Sequence, residues 1–310
     1  MTRCVSRSIL VARFVGGSSS MKTKFAMVAA ITPAVLLVPV LSSTREASAQ
    51  EASTNEASIR IMPRGGASAP HIFAPKGGRK KTSKNLIDHG GPVLPTSHVY
   101  AIYWGPVPSD ISDALDSFFD GFGGSSYANI LTQYMRGVPP APPASTFTVL
   151  APDSSAPPAH SPSVTAIADE VCASLGTSVP DPEGAYFVIT SNFPKAANFC
   201  AWHAKGTCNG NPIAVGYLPN VTGVSGCGVT SLAANPFSNG GQAMANDAAH
   251  ELSETITDPY ITGWYDSGGQ EVADKCVTQY GGPVTLSNGI EWTLREEWSN
   301  AISGCTQSIP

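Results

Sequence analysis

The chain predicts an α/β fold in which a mixed sheet packs with helices, and three observations carry that expectation. Short apolar, β-branched runs alternate with stretches of helical periodicity along residues 91–310. Gly and Pro punctuate these segments, as at Gly105-Pro106 and from Pro139 to Pro143. A long helical segment late in the chain, at about 240–257, is stopped by Asp258-Pro259. Alternation of this kind builds layers of helix and sheet round one core.

Each element follows from its own residues. His98 to Trp104 is an apolar and aromatic run of strand length. Asp110 to Phe119 has helical spacing in Ile111, Leu115, Phe118 and Phe119, with Ser109 or Asp110 as its cap. Tyr127 to Met135 reads as a second helix, and Thr146 to Leu150 as a strand. Ser161-Pro162 opens a helix with Val164, Ile167, Val171, Cys172 and Leu175 on one side. Ala185 to Thr190 and Ile213 to Leu218 read as strands, and Ile290 to Trp298 as a final one.

The N-terminus reads as a targeting segment. Lys22 and Lys24 precede an apolar run from Phe25 to Leu41, and Ala47-Ser48-Ala49 fits a cleavage site. Residues 1–49 are therefore expected to be a signal peptide, with Met21 as an alternative start. Residues 50–90, rich in Ala, Ser, Gly, Pro and Lys, read as a flexible leader, and 91–310 as one domain. Without its first 49 residues the chain keeps 12 basic and 22 acidic side chains. Such an acidic chain gives no electrostatic case for nucleic acid. No later run is long enough to span a bilayer. Cys4 leaves with the signal, and Cys172, Cys200, Cys208, Cys227, Cys276 and Cys305 remain. An even six in an exported chain predicts disulfides, with Cys200–Cys208 and Cys276–Cys305 as the guessed pairs. A thiolate zinc site is the rival, disfavoured because no Cys-x-x-Cys occurs.

The chemistry concentrates between Asn246 and Pro259, where one histidine and three carboxylates fall within nine residues, 250–258. On a helix His250 and Glu254 lie one turn apart on one face, with Glu251 about 100° round. A metallohydrolase needs two ligands at that spacing and a carboxylate beside them to take a water proton. The bland alternative is a pair on a solvated helix face. Small neighbours (Ala, Ser, Thr) and a second acidic cluster, Asp266, Glu271 and Asp274, argue against it. Glutamate-type zincins draw a third ligand from a segment at about this distance, so the single domain reads as zincin-like. Glu271 is the expected third ligand, with Asp258, Asp274 and His203 as rivals, and Asp274 otherwise orients a ligand histidine.

In that arrangement the ion lowers the pKa of a bound water and Glu251 is the general base. Zinc is the expected ion. One imidazole with two carboxylates is a hard donor set, which keeps calcium and manganese in contention. The expected activity is a secreted, zincin-like, metal-dependent peptidase acting on extracellular protein or peptide. A non-catalytic extracellular protein with a structural ion is the alternative. A third reading is a cell-wall polysaccharide binder using Trp202, Trp264 and Tyr265. The oligomeric state is not legible.

Residues 98–106, 198–203 and 250–259 with Gly263-Trp264-Tyr265-Asp266 resemble the EXORDIUM, or phosphate-induced, family. The similarity spans roughly 91–310, and the chain is similar to the microbial branch, which keeps His-Glu-x-x-Glu. The resemblance implies export, the extent of the domain and paired cysteines. Plant members are secreted wall proteins linked to growth responses, without an agreed activity.

Overall fold

The computed structural model describes residues 59–63, 85–137 and 145–309. The expected signal peptide lies outside the described residues, as does most of the expected leader. In chain order come β1 (Ile59–Pro63), β2 (Ile87–Asp88), β3 (His98–Trp104), α1 (Ser109–Phe122), a 3-10 helix (Ala128–Tyr134), β4 (Thr146–Val149), α2 (Val164–Leu175) and β5 (Gly184–Thr190). Then follow β6 (Phe199–Cys208), β7 (Asn211–Pro219), α3 (Asn239–Thr257), β8 (Trp264–Tyr265), a 3-10 turn (Asp274–Cys276) and four short strands. These are β9 (Val284–Thr285), β10 (Glu291–Trp292), β11 (Glu297–Ser299) and β12 (Gly304–Thr306).

The protein is mixed α/β, with a six-stranded sheet ordered β1-β6-β7-β5-β3-β4. β3, β4, β5 and β7 run parallel, β6 pairs antiparallel with β7, and β1 antiparallel with β6. Parallel strands need both faces covered. β5 shows how this is met: Ala185, Phe187 and Ile189 enter the core shared with α1 and α3, while Tyr186 and Val188 enter the core under α2.

Local chemistry explains where expectation and structure differ. Pro108, not Ser109 or Asp110, is the N-cap of α1, and Asp110 instead accepts a hydrogen bond from Ser238 at 2.7 Å. The expected helix at 127–135 is 3-10, because Ser125 Oγ donates to Phe122 O and accepts from Ala128 N, tightening the turn. The expected last strand breaks into β10 and β11, since Arg295 N donates to the Asn246 side chain rather than to a ladder. β1 and β2 lie inside the segment read as a flexible leader. Ile59, Arg60, Ile61 and Met62 alternate at period two and join the sheet edge.

Three disulfides join Cys172 to Cys208, Cys200 to Cys227 and Cys276 to Cys305. The last is as the sequence places it, and Cys200–Cys208 is not formed. Both residues lie on β6, and eight steps of about 3.4 Å hold them roughly 27 Å apart. No cysteine of the six is left as a thiolate ligand. These bridges fit an oxidising, extracellular environment. Among the described residues no helix is long and apolar enough to cross a membrane. The Cys276–Cys305 bridge spans 29 residues. Replacing both by Ala is expected to cost about 3–4 kcal/mol by loop-closure entropy. A urea midpoint unchanged from wild type would contradict this.

Candidate metal centre

α3 is buried on every face from Gly240 to Thr257. Ser238 caps it, its Oγ accepting from Gly241 N at 3.0 Å. Small residues let the helix sink inward: a Cβ on Gly241 would come within 2.7 Å of the Ala114 Cβ on α1. The run of Ala, Ser and Thr therefore serves close packing rather than an open cleft. It also removes the solvated-face reading, since His250 is 1% exposed and Glu251 and Glu254 are 0%.

β6 crosses α3 and delivers His203. Trp202 and Ala204 point into the core under α2, so the alternation of the strand turns His203 to the opposite face. His203 Nδ1 lies 3.1 Å from Glu251 Oε2 and 3.6 Å from Glu254 Oε2, and its Nε2 lies 3.5 Å from Glu271 Oε1. One turn along α3, His250 Nε2 is 3.3 Å from Glu254 Oε1 and 3.7 Å from Asp274 Oδ1.

The loop after α3 is fixed by its own carboxylates. Asp258 Oδ1 accepts from the backbone N of Thr262 and Gly263, each at 2.5 Å, and so closes the turn. Asp266 accepts from Gly268 N and Gln270 N and pairs with Lys275 at 2.7 Å. Glu271 N then donates to Asp274 Oδ2 at 3.3 Å, and Asp274 N donates to Glu254 Oε1 at 3.0 Å. The loop thus brings Asp274 to α3 through its backbone as well as its side chain.

Buried His, Glu and Asp side chains there can hold a metal ion. Among the described residues two overlapping groups qualify, His250, Glu254 and Asp274, and His203, Glu251 and Glu254; within each the donor atoms lie within 4.8 Å of one another. Glu254 belongs to both. A third group, Cys200, Cys227 and Asp247, offers no thiolate because its sulfurs are bonded to each other. Of the residues singled out from sequence, His250, Glu254 and Asp274 converge. Glu271 belongs to neither donor group but lies against His203 and Arg60. Asp258 closes its turn with Oδ1, leaves Oδ2 buried without a partner, and is in neither group. His203, a rival ligand by sequence, enters the cluster from β6. The signal for it was the two-residue alternation of Ala201 and His203 against Trp202 and Ala204.

Many of these atoms lack a hydrogen-bond partner despite full burial: both His250 nitrogens, His203 Nε2, Glu251 Oε1, Glu254 Oε2 and both Glu271 oxygens. The contacts of His250 with Glu254 and of His203 with Glu271 are close enough for ion pairing but not aligned for hydrogen bonding. Unpartnered buried polar groups cost about 1–3 kcal/mol each, more when charged, so a cation held among these atoms would offset a real cost.

Protein electrostatics agree in sign. Burial alone would depress the His203 imidazole, but Glu271 and Glu251 outweigh it and carry it well above its usual value. His250 follows the same pattern, burial being overcome by Glu254 and Asp274. Burial lifts the Glu251 carboxyl to about 7 against the pull of the two histidines. The carboxylates thus favour the protonated imidazoles, so binding an ion at these nitrogens would release protons.

Glu297 lies behind the cluster with Oε1 accepting from Tyr127 Oη at 2.6 Å, and burial raises its carboxyl to about 8. A folded-state pKa above the unfolded one means the folded chain binds more protons, so this group costs stability as pH rises from about 4.5 to 8. Glu297→Gln keeps the acceptor and removes the titration. Wild type should lose up to about 1.4 kcal/mol per pH unit relative to the variant across that window. Parallel melting curves from pH 4.5 to 9 would refute this.

Comparison with family models, with curated proteins and with solved structures finds no match for this chain.

Proposed function

We propose that the protein is a secreted, zincin-like, metal-dependent hydrolase acting on peptide bonds, with His250, Glu254 and Asp274 as ligands and Glu251 as general base. One observation carries the reading: Glu254 is shared by two buried donor groups in which both His250 nitrogens, His203 Nε2, Glu251 Oε1 and Glu254 Oε2 have no hydrogen-bond partner. A divalent ion supplies Lewis acidity and lowers the pKa of bound water. The residues fit such an ion, preferentially zinc, and the two carboxylates also suit manganese or calcium. Glu251 contacts His203 rather than the loop carboxylates, so its second oxygen is free to accept a proton. Glu271 and His203 hold Glu251 in place from the other side.

Secretion rests on the N-terminal pattern together with the three disulfides. Kinship with the EXORDIUM family rests on the three sequence motifs quoted above and on nothing else. The glycan-binding reading loses one of its platforms, because Trp202 is 2% exposed and packs against Tyr217. A second functional reading, a structural ion without turnover, draws on the complete burial of the cluster, since structural sites are closed and catalytic ones keep an open position. Metal content and casein hydrolysis of the purified mature chain, beside Glu251→Gln, separate the two. Stoichiometric metal with turnover only in wild type supports the hydrolase. Metal without turnover in either protein supports the structural ion.

A further inference from the structure

We propose that the β6 edge is a binding groove for an extended polypeptide carrying a basic side chain opposite His203, and that β1 is its intramolecular occupant. The proposal rests on the hydrolase reading and gives that site its substrate class.

β1 is the outermost strand and pairs antiparallel with β6, placing Ile59 opposite Ala204, Arg60 opposite His203, Ile61 opposite Trp202 and Met62 opposite Ala201. The strand that carries a cluster residue is therefore covered by a short piece of chain in the geometry of strand addition. In that mode main-chain hydrogen bonds supply affinity for any sequence, and pockets for alternate side chains supply selectivity. Both pocket types are present. Ile59 and Ile61 pack on the core beneath α2, while Met62 is fully buried in the core shared with α3. Met62 Sδ also accepts a contact from Arg295 Nη1 at 3.6 Å.

The remaining pocket is charged. Arg60 Nε lies 3.3 Å from Glu271 Oε2, and its guanidinium carbon lies 5.1 Å from the centre of the Tyr265 ring. Gly269 completes the wall: a Cβ there would come within 3.3 Å of Arg60 Nη1. Carboxylate, aromatic face and bare backbone together form a receptor for arginine or lysine. This gives Glu271 a role that its separation from His250 leaves open. β1 also flanks the strand that carries His203, so its departure would expose the edge of β6.

The test uses the full chain in a Glu251→Gln background, so that binding is read without turnover. A fluorescein-labelled peptide copying residues 57–64 is titrated, with a second peptide bearing Glu in place of the arginine that matches Arg60. Arg60→Glu, which repels Glu271, should free the groove. The expected result is at least ten-fold tighter anisotropy binding of the arginine peptide to Arg60→Glu than to the Arg60-containing chain, and at least ten-fold preference over the glutamate peptide. Arg60→Ala, a milder change, should show the same order if the first variant fails to fold. Equal binding of the two peptides, or none to a variant with an intact circular dichroism spectrum, overturns the proposal. Binding with the stated preference but no cleavage in the Glu251 chain would instead overturn the hydrolase reading alone.

Discussion

Glu254→Gln is expected to release the bound metal and to lower the melting temperature by roughly 10 °C. The size follows from linkage: an ion present at 100–1,000 times its Kd contributes about 3–4 kcal/mol, and a domain of this length loses about 2–4 °C per kcal/mol. Glu254 is the residue to change because its two oxygens face different histidines, Oε1 toward His250 and Oε2 toward His203. An amide keeps an acceptor for Asp274 N, so the loop contact survives. Only the charge is lost. A chelator should bring wild type down to the variant and leave the variant where it was. Identical melting of both proteins, with and without chelator, would contradict the assignment of Glu254.

Glu251→Gln is expected to keep the metal and to lose hydrolysis by about 10²–10⁴-fold, the usual weight of a positioned general base. The two donor groups make different predictions here. If the ion sits with His250, Glu254 and Asp274, the variant retains full metal content. If it sits with His203, Glu251 and Glu254, the variant loses metal together with activity. Peptide hydrolysis normalised to bound metal distinguishes these, and full turnover by the variant would remove Glu251 from the chemistry.

Much of the fold was legible because it rests on short-range pattern. β3, α2, β5, β7 and α3 follow apolar runs and periodicity closely, and Ser163 and Ser238 cap their helices by the side-chain hydrogen bonds such residues favour. The site was legible where it depends on helix geometry. The i, i+4 relation of His250 and Glu254 survives folding as a 3.3 Å contact. What was not legible depends on long-range register. Nothing local distinguishes Glu271 from Asp274 as a companion of His250. The choice is made by Asp274 N donating to Glu254 and by the Asp266 turn that rotates Glu271 toward β6. His203 was obscured because β6 is buried on both faces and lacks the polar alternation of a half-exposed strand. β1 was obscured by its surroundings: five ordered residues stand in a segment whose composition reads as unstructured.

The cysteine pairing shows the same division. Cys276–Cys305 joins neighbours in a C-terminal segment that must fold back on itself, which sequence proximity captures. Cys200 and Cys208 are nearer in sequence but share one extended strand, and so find partners at Cys227 and Cys172.

Anomalous diffraction at the metal edge, from crystals of the mature chain grown with a divalent cation, tests the metal centre most directly. The account predicts one peak at about 2.0–2.2 Å from a His250 nitrogen and from oxygens of Glu254 and Asp274. No peak there, with these side chains hydrogen-bonded to one another instead, would contradict it.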